Sequence, residues 1–274
     1  MRFLILTITV AALFCAAPAQ AAIIFQDDFE KSKLENAGWI FADGFCFQSP
    51  WTSPRTEPCS ILDLSTDMAH NGAKSLKLTF NGGQGQALSI SPPSPGTDRY
   101  VRYWFRTVGF TYEASTGTKF VYWRGDSDPT GYPNGVSGNY FGSRNHIFGI
   151  QNGTGPCGAP NCFYESPNMA ARPLADNTWH CIEEHVKLNT PGVADGVLEL
   201  WVDGVQTHGY YTELWKSSTT TSTMKWDSWQ IIRQSGSGIS YIDEFAIGTT
   251  RIGCSGNPSA DTTPPVAPSG LTLR

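Results

Sequence analysis

The chain is short of charge. Only 16% of its 274 residues are Asp, Glu, Lys or Arg, with Lys+Arg 19 against Asp+Glu 24 and a formal net charge of -5. It has no basic cluster, which argues against nucleic acid as a partner, and no polybasic stretch to hold it on an anionic membrane. Beyond residue 21 no apolar run approaches the roughly 20 residues that a transmembrane helix needs, so no membrane span is expected. No CxxC pair and no histidine spacing suited to zinc accompany the cysteines. No helical period lasts longer than two turns. What the chain has in quantity is Gly 28, Pro 18 and 12% aromatic residues, the composition of a turn-rich β protein with stacking surfaces.

The two ends differ from the middle. Met1-Arg2-Phe3 opens onto an apolar run, Leu4–Ala17, followed by Ala19-Gln20-Ala21. A positive start, a short apolar stretch and a small-x-small site are the parts of a secretory signal peptide, predicted over residues 1–21. Phe14 ahead of Cys15 is too bulky for a lipid-attachment signal. Residues 22–255 are read as one large β domain, long enough to bury a sizeable core. Residues 256–274, with Pro264-Pro265 and Pro268-Ser269-Gly270, are read as an extended linker. That tail resembles the lead-in to a fibronectin type III domain, as found in modular bacterial surface proteins.

With Cys15 in the leader, six cysteines remain: Cys46, Cys59, Cys157, Cys162, Cys181 and Cys254. An even count in an exported chain implies disulfides, and six cysteines allow 15 pairings. The short spacings favour Cys46–Cys59 and Cys157–Cys162 as loop clips, leaving Cys181 with Cys254 as a long-range tie.

Period-two hydrophobicity is frequent between the ends. Ser75–Phe80 puts Leu76, Leu78 and Phe80 on one face. Tyr100–Arg106 puts Val101, Tyr103 and Phe105 inward and Arg102, Trp104 and Arg106 outward. Trp179–Leu188 puts Glu183, His185 and Lys187 outward, and Val197–Asp203 does the same with Glu199 and Trp201. Lys119–Trp123, His146–Gln151, Trp229–Arg233 and Tyr241–Ile247 are further strands. Asp203-Gly204 marks a tight hairpin turn. Two long stretches, Asp43–Asp63 and Gly125–Asn145, are expected to be functional loops. Half-buried strands separated by Gly/Pro turns predict an all-β, two-sheet antiparallel sandwich.

Three stretches together carry a family resemblance: Phe25-Gln26-Asp27-Asp28-Phe29-Glu30 with Gly38-Trp39; the strand Trp179–Asn189 running into Asp195–Gly204; and Tyr241-Ile242-Asp243-Glu244-Phe245. They resemble the concanavalin A-like jelly roll and, within it, the polysaccharide-lyase-like branch that includes heparin-lyase-type enzymes. The resemblance implies two antiparallel sheets, one of them concave and lining a groove. The hairpin motif is shared by lectins, laminin-G-type modules and lyases, so it speaks for fold rather than activity.

Three functions follow as expectations. A uronate lyase needs a cation or amide to neutralise the sugar carboxylate, a base and an acid. Arg102, Arg106, Lys187 or Arg233 could supply the cation, and His146, His185 or Tyr164 the proton transfer. A glycoside hydrolase needs two carboxylates. The E-x-D-x-x-E signature of laminarinase-like jelly rolls is absent, leaving only Glu183 and Glu199 as a pair. A non-catalytic sugar binder would stack rings on Trp104, Trp201 and Trp229. An adhesion or spacer module without a sugar ligand is the remaining class. Polysaccharide is thus the expected partner of a monomer outside the cell. Jelly rolls of this kind often hold calcium where the first strand meets the last, which implies a structural ion among Asp28 and Glu30 on one face of the first strand, Asp243 in the last strand, and carbonyls of the Asn71-Gly72 turn.

Overall fold

The computed structural model describes residues 22–41, 62–82, 86–112, 118–125, 140–142, 147–152, 162–164, 174–213 and 225–254. Its strands are β1 (Ile23–Asp27), β2 (Ile40–Phe41), β3 (Leu62–Ser65), β4 (Ser75–Asn81), β5 (Gln86–Ile90), β6 (Asp98–Thr111), β7 (Thr118–Gly125), β8 (Tyr140–Gly142), β9 (Ile147–Asn152), β10 (Cys162–Tyr164), β11 (His180–Lys187), β12 (Gly196–Val202), β13 (Val205–Glu213), β14 (Trp226–Gln234) and β15 (Ser237–Gly248). The one helical element among the described residues is a single 3-10 turn, Leu34–Ala37.

The strands form two antiparallel sheets. An eight-stranded sheet runs β13-β12-β11-β6-β15-β4-β3, with β1 also pairing β15; a seven-stranded sheet runs β10-β9-β8-β7-β14-β5-β2. This is the expected jelly-roll-type sandwich. The hydrophobic alternation read from the sequence decides which face is inner. Leu76, Leu78, Val101, Tyr103, Phe105, Ile182, Val186, Leu198 and Leu200 of the first sheet pack against Leu88, Phe120, Trp123, Trp229 and Ile231 of the second. Phe120 of β7 meets Phe105, Phe80 and Phe110 at ring-centre distances of 4.8, 5.1 and 5.5 Å. Each fully buried ring of this kind stabilises the fold by roughly 1.5–3 kcal/mol relative to exposure. Asp203 and Gly204 both adopt left-handed backbone, φ 51 and φ 79, as the two-residue turn joining β12 to β13 requires.

Two expectations are corrected here. The first strand stops at Asp27 rather than running through Glu30. The Asp27 carboxylate accepts the Phe29 N–H at 2.9 Å and the Trp39 indole N–H at 2.6 Å, and Phe29 turns into left-handed backbone at φ 57. Asp28 and Glu30 therefore lie past the strand end and share no strand face. Trp229 and Arg233 face the core. Period two puts Trp229, Ile231 and Arg233 of β14 on one side, and it is the inner one. Trp229 is 0% exposed, and the Arg233 guanidinium lies 6.0 Å over Phe80 and donates to Asn81. Neither residue is available to stack on or bind a ligand at the surface. Cys46, Cys59, Cys157, His146 and most of the two long loops lie outside the described residues.

Candidate functional site

The outer face of the eight-stranded sheet gathers most of the residues singled out from sequence. Glu183 of β11 stands between Arg102 of β6 and Trp201 of β12, and His185 stands between Tyr100 and Glu199. Arg102, Trp104 and Arg106 follow each other along β6 on this face, and Lys187 ends β11 opposite Asp98.

Half of this face is covered by the chain itself. After β15, residues 249–254 cross back over β11 and β12 as a strap. Ile252 N–H donates to Glu183 Oε1 at 2.6 Å, and Gly253 N–H donates to both oxygens at 3.1 and 3.2 Å. Arg251 Nε reaches the same carboxylate at 3.3 Å while its guanidinium lies 4.5 Å over the Trp201 ring. The Cys181–Cys254 disulfide, with a Cα–Cα distance of 5.8 Å, fastens the end of the strap. It is the long-range tie expected from the cysteine spacing. Glu183 is 0% exposed. It is an anion held in a nest of successive backbone N–H groups, and Trp201 already carries a cation on its ring. The expectation that Glu183 and Trp201 line an open groove is corrected accordingly.

His185 is also committed. Its Nδ1 lies 2.6 Å from Glu199 Oε2, and its Nε2 lies 2.8 Å from Asp98 Oδ1. The ring stacks on Tyr100 at 4.0 Å with 4° between planes. Glu199 uses its other oxygen to accept Tyr211 Oη and Gln206 Nε2, at 2.8 and 3.0 Å. Burial disfavours the charged imidazole, but the two carboxylates outweigh it and hold its pKa above the ordinary histidine range. With both nitrogens donating to carboxylates, His185 has no free nitrogen for proton transfer, and Glu199 no free oxygen for a hydrolytic pair with Glu183. Arg102 is 1% exposed, and burial lowers its pKa against the opposing pull of Glu244, Glu183 and Asp243. It cannot meet a ligand carboxylate from that position. Lys187 is exposed, while Trp104 and Arg106 are half-buried on the uncovered half of the face.

The residues expected around calcium direct their oxygens at backbone amides. Glu30 Oε1 accepts Ala73 and Lys74 N–H at 2.7 and 2.8 Å. Gly72, at φ 73, leaves the space this carboxylate occupies: a Cβ there would sit 2.3 Å from Glu30 Oε1. Asp243 Oδ2 accepts the N–H of His70 and of Asn71 at 2.7 and 3.2 Å, and Oδ1 that of Glu244 at 2.8 Å. Burial pushes Asp243 up to about 7. Asp28 Oδ1 accepts the Glu30 N–H. Among the described residues no three acid, His or Cys side chains are grouped closely enough to hold a metal ion.

The outer face of the seven-stranded sheet is the second candidate. Since Trp229 and Ile231 point inward, Ser228, Gln230 and Ile232 form the outward row of β14. Gln230 is 6% exposed. Its Nε2 donates to Ser89 on β5 at 2.8 Å, and its carbonyl Oε1 has no partner among the described residues. In the backbone register Tyr122 stands opposite Gln230, and Arg124 opposite Ser228. Tyr164 falls on β10 at the edge of this sheet, opposite Ile150. Gln230 was not singled out from sequence. Once Trp229 is known to point inward, alternation alone identifies it.

No family model matches the chain, and no curated protein matches it by sequence. Solved structures match its fold. "Cellulose induced protein, Cip1" has 18% identity and a TM-score of 0.54, over 84% of this chain and 99% of that one. The endo-beta-1,4-glucuronan lyase of the fungus Trichoderma reesei has 15% identity and a TM-score of 0.51, over 77% and 95%. A carbohydrate esterase of Shiga toxin-encoding bacteriophage phi24B has 15% identity and a TM-score of 0.54, over 84% and 100%. At such identities the likeness establishes a shared β-sandwich fold.

Proposed function

We propose that the protein is exported and handles an acidic polysaccharide on the outer face of its seven-stranded sheet, with β-elimination at a uronate as the reaction. The observation that carries this reading is Gln230, a buried amide on an interior strand whose carbonyl Oε1 has no partner among the described residues. Buried polar groups are normally hydrogen-bonded, so an acceptor left without a partner among the described residues suits a ligand hydroxyl. β7, next to β14, bears Lys119, Tyr122 and Arg124, and β8 and β9, further along the same sheet, bear Tyr140 and Gln151, the residue types that charge neutralisation and proton transfer at a uronate call for. A glucuronan lyase and a carbohydrate esterase share the fold, which is in keeping with a carbohydrate ligand.

The test is a panel of uronic-acid polysaccharides, read by absorbance of the unsaturated product and, in parallel, by binding. Product from any of them, lowered by Gln230→Leu, supports the lyase reading. Binding without product leaves a lectin-like module. Neither product nor binding overturns the proposal.

A further inference from the structure

The uncovered half of the eight-stranded sheet's outer face carries a group of side chains that the strap does not use. At its centre is Trp104 of β6. His70, in the loop between β3 and β4, lies flat on it with ring centres 3.7 Å apart and 13° between planes. Trp179 meets His70 nearly edge-on, at 5.7 Å and 72°.

Two local devices hold this group. On β15 the register against β6 shifts between Asp243 and Ala246, a bulge in which Glu244 takes left-handed backbone, φ 48. Such a conformation is costly for a residue with a side chain, and it persists where surrounding structure imposes it. Here it sets the Glu244 carboxylate 2.6 Å from His70 Nδ1. Because a carboxylate only accepts, the proton between them sits on Nδ1, and Nε2 has no partner among the described residues. On the other side, the turn before β11 is stitched along β6. Asn177 N–H donates to Thr107 O at 2.7 Å, and Gly109 N–H to Asp176 Oδ2 at 2.9 Å. This turn brings Asn177 to Arg106, which donates Nη2–H to the Asn177 carbonyl. Among the described residues no carboxylate lies within ion-pair distance of Arg106 and its buried Nε has no partner.

We infer that Trp104, His70, Trp179 and Arg106 form a second sugar-binding site, for a uronate unit, on the sheet opposite the proposed groove. With His70 lying flat on Trp104, the half-buried His70 and Trp179 rings offer a surface to the C–H face of a pyranose. Arg106 supplies the cation for its carboxylate, and His70 Nε2 hydrogen-bonds one of its hydroxyls. The ligand class rests on the reading under Proposed function; the geometry does not.

Titration calorimetry with a saturated uronate tetrasaccharide separates the two. Wild type is expected to bind at two sites per chain. Arg106→Gln and Trp179→Ala, both altered at the surface and checked for an unchanged melting temperature, are each expected to weaken one site by about tenfold to a hundredfold. Gln230→Leu is expected to weaken the other. Wild-type binding that neither Arg106→Gln nor Trp179→Ala disturbs would overturn this inference and leave the groove standing. A single site abolished by those two variants and untouched by Gln230→Leu would support it and overturn the groove. No binding by wild type overturns both.

Discussion

The outer face of the eight-stranded sheet has two halves built from similar residues and used in opposite ways. Around β11 and β12, acids, a histidine and a tryptophan are matched inside the chain: Glu183 to the strap's amides, His185 to Asp98 and Glu199, Trp201 to Arg251. Around β6 and β15, a histidine, two tryptophans and an arginine are positioned by neighbours, yet among the described residues one ring nitrogen of His70 has no partner and Arg106 meets no carboxylate. A polar or aromatic residue on a strand's outer face is therefore no guide to ligand binding until its partners are counted. The covered half should govern stability, and the open half recognition.

The largest expected effect comes from the strap's fastening. Replacing both cysteines of the pair, Cys181→Ser with Cys254→Ser, removes a cross-link spanning a sequence separation of 73. Loop entropy sets the loss at about 4 kcal/mol, to be read from denaturant unfolding, with uronate binding retained below the transition. Next is His185→Leu, which leaves Asp98 and Glu199 facing each other without their cation. Removing one partner of a buried pair costs roughly 3–5 kcal/mol, and since Asp98 is 45% exposed the lower end is expected. The same variant tests the pH response. A histidine whose folded pKa is raised contributes its full stability below its unfolded value, about 6.5, and loses it as pH rises through the folded value. Wild type should therefore lose its advantage over His185→Leu as pH climbs above about 6.5; a constant difference would show that the imidazole is not held charged. The smallest effect is expected of Arg251→Ala. Losing the exposed Arg251 cation from over the buried Trp201 ring costs about 0.5–1 kcal/mol, and Trp201 fluorescence should report the uncovered ring.

Much of the sandwich was legible because period-two alternation is strong wherever one sheet face is buried. Val101, Tyr103 and Phe105, and Leu198, Leu200 and Val202, all point where alternation put them. The same rule misplaced Trp229 and Arg233, because alternation fixes which residues share a face and is silent on which face is inner. The strand ends at Asp27 because its carboxylate takes a backbone N–H and the Trp39 indole, a long-range partner invisible to a local pattern. The covering of Glu183 and Trp201 depends on residues 249–254 returning over β11, which only the folded chain reveals. His70 has no sequence signal at all: it lies in a loop, and its meaning comes from Trp104, 34 positions along and on another element.

The Cys181–Cys254 bond also has a mechanical meaning. Beyond Gly248 the chain leaves β15, an interior strand flanked by β4 and β6. Tension on residues past 254 would otherwise draw directly on the Gly248 end of that strand, peeling it from one end. The bond diverts the load to Cys181 on β11, which is hydrogen-bonded to β6 on one side and β12 on the other. A pull on the tail then reaches β11, hydrogen-bonded along both edges, before it reaches the Gly248 end of β15.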